Sequence, residues 1–425
     1  MKSSHSTRLL QDVLPRRSEA PVDLSYAEQG YAYLLEQEPG LIGECTYILK
    51  SKASADRYYA CAYQVNRNAS TFASGVWALN GNGKRDSAFT VDFPSYTSHT
   101  AHFTPRSLIE DTAGKLLCLG SVSTGQSWLW RFNDNGTPDI TFGNEGHISS
   151  DKLLPEPVAL RYVAPLADGY VLACEGPERR TLLLALAKDG TLDTNFGKEG
   201  ILELDQVLPG DGIGVASLVV APHTDGSERV LLLTWRNENA NEYSVFSCIT
   251  STGVVDSAFA NQGHFRSEVG TYYVGTSVSE QTGSLITLCG GHLFEDGSLQ
   301  PEISRLTLRG VPTSAFNGGK PVRFDAAGGM WHHIIEIGDR LVGIGSFYTH
   351  NKAVRYYLGG TLDTSFVPPL GYGQFGATVP NPGFYLSPDA SIAFVPAHNR
   401  MLVCGDRNNA ELTQTIPVVH AISLG

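Results

Sequence analysis

Asp139-Ile-Thr-Phe142-Gly143-Asn-Glu-Gly146 and Asp193-Thr-Asn-Phe196-Gly197-Lys-Glu-Gly200 are two copies of one pattern. Weaker copies read Asp256-Ser-Ala-Phe259-Ala-Asn-Gln-Gly263, Asp86-Ser-Ala-Phe89, Asp363-Thr-Ser-Phe366 and Thr313-Ser-Ala-Phe316, and a seventh, Asp23-Leu-Ser-Tyr26-Ala-Glu-Gln-Gly30, lies near the start. The aromatic positions 26, 89, 142, 196, 259, 316 and 366 are separated by 63, 53, 54, 63, 57 and 50 residues. Fixed self-similarity at this period marks a repeat architecture, and the period suits a blade of four antiparallel strands with long loops.

The pattern has a mechanism. An Asp can accept backbone N–H bonds two or three residues ahead and close a turn. The aromatic then plugs the gap between neighbouring units, and the glycines supply positive φ. Hairpin signals such as Asn133-Asp-Asn-Gly136, Lys188-Asp-Gly190 and Asn80-Gly-Asn-Gly83 precede the motif. One unit reads as strand Val158–Leu166, turn Ala167-Asp-Gly169, strand Tyr170–Cys174, loop, strand Thr181–Ala187, motif and strand Ile201–Leu204. The last unit, with strands at Met401–Gly405 and Ile416–Leu424, stops before its motif, whereas the chain begins with one followed by strand-like Tyr31–Leu35. The expectation is an all-β fold, one seven-bladed β-propeller over residues 21–425. Its N-terminal strand closes the last blade and so removes an open edge. Six blades are the fallback if the Thr313 copy is irregular. Residues 1–20 read as a polar, flexible tail.

The motif resembles the delta-60 repeat, a bacterial β-propeller repeat family of uncharacterised function, with signature Asp-Gly-x-Leu-Asp-x-x-Phe-Gly-x-x-Gly. The match is close at Asp189–Gly200, good at Asn135–Gly146, partial at Gly360–Phe366, where Val367 replaces Gly, and poor at Thr313–Phe316. The resemblance implies a propeller and no catalytic residues, because the repeat is structural.

Composition limits function. With 45 glycines in 425 residues, 17% charged and 42% hydrophobic, the chain has ample apolar surface for a core. Lys and Arg total 31 against 43 Asp and Glu, a net charge of −12, which disfavours nucleic acid and anionic membranes as partners. No run reaches the ~18 apolar residues of a membrane span, and the start lacks the apolar core of a secretory signal. A cytoplasmic location is therefore expected, with leaderless export as the alternative. Seven cysteines carry no C-x-x-C, and Cys61, Cys118, Cys174, Cys289 and Cys404 occupy one strand column, shared with Ile344. They read as small buried apolar residues, too far apart around the ring to bridge.

Candidate site residues lie between one blade's last strand and the next blade's first, where loops converge on a channel mouth. These are His99, His102 and Arg106; Arg161 and Tyr162; Asp211 in the glycine-rich inter-blade loop Gly210–Gly214; Tyr272 and Tyr273; Trp331, His332 and His333; and Phe384, Tyr385 and Asp389. Histidine can ligate metal or titrate near neutrality. Adjacent strand residues point to opposite faces, however, so at most one of His332 and His333 should face the channel. The aromatics would give either a stacking surface or blade-to-blade packing. No Walker, dinucleotide, G-x-S-x-G or H-E-x-x-H pattern is present, so no cofactor or metal is expected. The leading expectation is a non-enzymatic scaffold binding a protein, peptide or glycan partner. The alternatives are a hydrolase or lyase acting at the channel mouth through His102, Asp211, His332 or Arg161, and a lectin-like propeller.

Overall fold

The structure is a computed structural model that describes residues 22–35, 41–66, 71–93, 103–122, 125–208, 210–223, 225–279, 284–325, 328–347, 350–377, 384–386, 391–408 and 415–425. Five sheets hold four antiparallel strands each, and a sixth sheet, of nine strands, contains the units numbered blades 1 and 7. Blade 1 comprises Leu41–Lys50, Tyr58–Asn66, Thr71–Leu79 and Arg85–Asp92, and blade 2 comprises Phe103–Glu110, Leu116–Val122, Ser127–Phe132 and His147–Ser149. Blade 3 is Ala159–Leu166, Gly169–Glu175, Thr181–Ala187 and Ile201–Glu203, and blade 4 is Asp211–Pro222, Glu228–Glu238, Asn241–Thr250 and His264–Arg266. Blade 5 is Thr271–Val278, Leu285–Leu293, Leu299–Thr307 and Val322–Arg323, and blade 6 is Gly329–Ile337, Arg340–Phe347, His350–Tyr357 and Tyr372–Ala377.

In blade 7 Phe384–Leu386 and Ile392–Val395 both pair with Arg400–Asn408, which is followed by Thr415–Ser423. Tyr31–Tyr33 adds the outer strand, in register with Val418–His420. Each blade packs on the next, blade 6 on blade 7 and blade 7 on blade 1, so the units close a ring. A single parallel bridge, Ile42 to Thr415, joins the sheets of blades 7 and 1.

The repeated motif explains how the blades are held together. In six copies the first residue's N–H donates to the third strand of its own blade, as from Asp139 to Arg131 O at 2.9 Å and from Asp23 to Ala421 O at 3.0 Å. The Asp carboxylate accepts the N–H two residues on, at 3.0 to 3.2 Å, in the copies at 23, 86, 139, 193, 256 and 363. All seven aromatics are buried. In six copies the residue after the aromatic adopts a left-handed conformation, with Gly143 at φ 55, Gly197 at 56 and Ala260 at 44. That bend aims its N–H at the next blade's hairpin. Gly143 donates to Asp189 O, Gly197 to Thr252 O, Ala260 to Arg309 O and Asn317 to Gly359 O, at 2.7 to 2.9 Å. Ala27 does the same from the closing strand to Asn82 O of blade 1, at 3.0 Å.

All seven cysteines are buried and free. Equivalent ones are closer than expected: Cys61 meets Cys118 across the seam of blades 1 and 2, and burial with that neighbour pushes the Cys118 thiol well above its ordinary range.

Candidate functional site in the central channel

Six inner strands share a defect. Pairing with the second strand skips a residue at Thr46 in blade 1, Arg106 in blade 2, Arg161 in blade 3, Ile213 and again Ala216 in blade 4, Val274 in blade 5 and His332 in blade 6. A β-bulge leaves one residue out of the ladder and re-aims its side chain. Six of these seven residues line one cavity of about 760 Å³ on the channel. The seventh, Thr46, is buried and donates its hydroxyl to Pro105 O of blade 2 at 2.8 Å, and its neighbour Tyr47 lines the cavity instead.

The wall has two characters. Arg106 and Arg161 come from adjacent blades at one register, with His332 and His333 from blade 6. Arg161 is held by Glu175, Nη2 to Oε2 at 2.6 Å, and the other Glu175 oxygen accepts the Val215 N–H at 2.9 Å. Arg106 Nε approaches Ser121 Oγ at 3.4 Å. Blades 4 and 5 contribute Ile213, Val215, Leu218 and Val274, and Tyr162 and Trp235 add aromatic surface. The Trp235 indole N–H is anchored on Tyr273 O at 2.7 Å. Burial, with His332 alongside, lowers His333 to about 4 and keeps it neutral at ordinary pH. Among the described residues no group of three or more His, Cys, Asp or Glu side chains could hold a metal ion.

Of the residues expected from sequence, Arg106, Arg161, Tyr162 and His332 line the cavity. His333 also lines it, against the expectation that only one of the pair would, because the bulge between Trp331 and His333 breaks the alternation. Tyr273 and Trp331 belong to the interior: Tyr273 donates to Glu302 Oε1 at 2.6 Å, and Trp331 is fully buried against Phe324 and Phe347. Tyr272 is tied to Glu242 at 2.7 Å and is no part of this wall. Asp211 is exposed at the start of the blade 4 inner strand, so residues 211–214 are strand rather than loop. His99, His102 and Asp389 lie outside the described residues, as do the side chains of Phe384 and Tyr385. Tyr47, Glu175, Trp235 and the apolar arc were not legible. They are ordinary strand residues in the sequence, and only the register brings them together.

A second cluster sits at the seam of blades 7 and 1. Burial and the charge of Glu44 push Asp406 up to about 7, and Tyr63 donates its hydroxyl to Glu44 at 3.3 Å.

No family model and no curated protein matches the sequence. Solved structures do match in fold. Extracellular domains 1–2 of Drosophila semaphorin 1a align at 9% identity over 93% of this chain and 88% of that one, with TM-score 0.50. Polysaccharide lyase Uly1 aligns at 11% identity over 96% and 98%, with TM-score 0.49. The β-propeller domain of the trilobed protease from Pyrococcus furiosus aligns at 9% identity over 89% and 93%, with TM-score 0.45. At these identities the likeness concerns the fold alone.

Proposed function

We propose that this chain is a non-enzymatic binding propeller whose ligand enters the central channel. The observation that carries this reading is the ring of bulge-borne side chains around one cavity of about 760 Å³. That volume suits a small molecule or the end of a chain better than a flat partner surface. The bulge residues differ from blade to blade, which favours one shared site over the repeated, equivalent pockets of a lectin. The test is a thermal-shift and calorimetric screen of small molecules, short peptides and oligosaccharides on the full chain, repeated on Ile213→Trp, which projects a bulky ring into the cavity. Hits should be lost in the variant while its fold is retained. Ligands that bind both proteins equally would place recognition elsewhere.

Asp406 supports a second reading, an acid–base enzyme. A carboxyl that titrates near 7 beside a second carboxylate matches what general acid catalysis needs. Under that reading, turnover found in a panel of glycoside and polysaccharide substrates would fall by at least about 100-fold in Asp406→Asn. Unchanged turnover would remove it.

A further inference from the structure

The cavity wall is asymmetric at the level of the bulges. Going round the ring, the residues that the strand pairing skips are Arg106, Arg161, Ile213, Ala216, Val274 and His332, so guanidinium side chains from two adjacent blades face an arc that begins with aliphatic ones. The apolar arc continues along blade 4 through Val215 and Leu218. Among the described residues Glu175 is the only carboxylate on the wall, and it is held by Arg161 and the Val215 N–H. Arg106 and Arg161 bring two guanidinium groups to the wall in a chain of net charge −12. A planar guanidinium matches a carboxylate in bidentate geometry, and a dry aliphatic arc matches hydrocarbon. A polyanion would have to desolvate charge against Ile213 and Val274, which is unfavourable.

Resting on the channel-binding reading above, we propose that the ligand is an amphiphilic carboxylate. Its carboxylate sits against Arg106 and Arg161, and its hydrocarbon body lies along the arc of Ile213, Val215, Leu218 and Val274. Recognition then has two separable parts, a charge-assisted contact that fixes one end and an apolar contact that grows with chain length.

The experiment is calorimetric titration of the full chain with straight-chain carboxylates of six to twelve carbons, below their micelle concentrations, and with the alcohols of equal length. Carboxylate affinity should rise about fourfold per methylene until the cavity is full. The alcohols should bind at least about tenfold more weakly. Arg106→Gln, at an exposed position, should weaken the carboxylates about tenfold, leave the alcohols unchanged and keep the wild-type melting temperature. Ile213→Trp should abolish both series. Alcohols that bind as well as carboxylates, or an Arg106→Gln variant with wild-type affinity, would overturn the carboxylate assignment; the channel reading would stand if Ile213→Trp still blocked binding. No binding by either series overturns the inference, whereas binding insensitive to Ile213→Trp overturns the channel reading as well.

Discussion

Arg305 occupies the column of Arg131 and Arg355, whose carbonyls accept the N–H of the motif Asp and whose Nε atoms bond its carboxylate at 3.1 and 2.8 Å. In blade 5 that Asp is Thr313. Arg305 turns instead to Glu336 of blade 6, in a pair 2% and 7% exposed, and its Nε finds no hydrogen-bond partner among the described residues. Breaking a buried pair by neutralising one member costs about 3–5 kcal/mol, because the other charge stays buried. Glu336→Gln should therefore lower stability by about 3 kcal/mol, read from the urea midpoint. Adding Thr313→Asp should recover part of the loss by rebuilding the Asp139–Arg131 arrangement. No recovery would mean that Thr313 does not occupy an equivalent position. Backbone conformation gives a second pair of outcomes. Ala260 holds φ 44 on the surface, so Ala260→Gly should stabilise by about 0.5–1 kcal/mol. Gly197→Ala should destabilise by about 2 kcal/mol or more, since its Cβ would meet Ile201 O at 2.3 Å. Paired chemical unfolding curves at one pH check both signs.

At the scale of elements, the turn motif was legible and the inner strand was not. Asp, aromatic and glycine at fixed offsets each have a local reason, so their spacing survives in the sequence, and Thr181–Ala187 falls where its apolar run places it. A bulge has no such signature. It arises when neighbouring strands disagree by one residue, so neither the site ring nor the shared face of His332 and His333 could be read from one strand. The motif also ties the fold to pH. Burial alone would raise the Asp139 carboxyl, but the Thr141 hydroxyl and N–H, then Arg131 and Lys115, outweigh it and hold the group at about 2, below its ordinary 3.8. A carboxyl depressed in the folded state contributes stability that is complete above the unfolded value and is lost as pH falls through the folded one. The stability gap between wild type and Asp139→Asn should thus be constant from pH 7 to about 5 and close between about 4 and 2. A gap that persists at pH 2 would show that the carboxylate's charge is not what the turn uses.

The whole molecule depends on one short strand. Tyr31–Tyr33 is three residues long, yet it pairs with Val418–His420, and the segment before it seats Tyr26 in the core of blade 7 and donates Ala27 N–H to blade 1. Asp23 and Arg400 lock this closure at 2.9 Å, with the Arg400 side chain 3% exposed. A ring distributes burial over every seam, which explains how a chain only 17% charged leaves few apolar groups exposed: most strands are covered by sheets on both faces. Opening the ring would expose the third strand of blade 7, Thr415–Ser423, as an unpaired edge, and such edges recruit other chains. Ala32 is 4% exposed and faces Val419, and proline there removes a ladder donor and forces the strand apart. Ala32→Pro should cost about 3 kcal/mol or more and produce concentration-dependent association by light scattering. A monomeric Ala32→Pro protein with wild-type stability would mean that the seven blades hold without their closing strand.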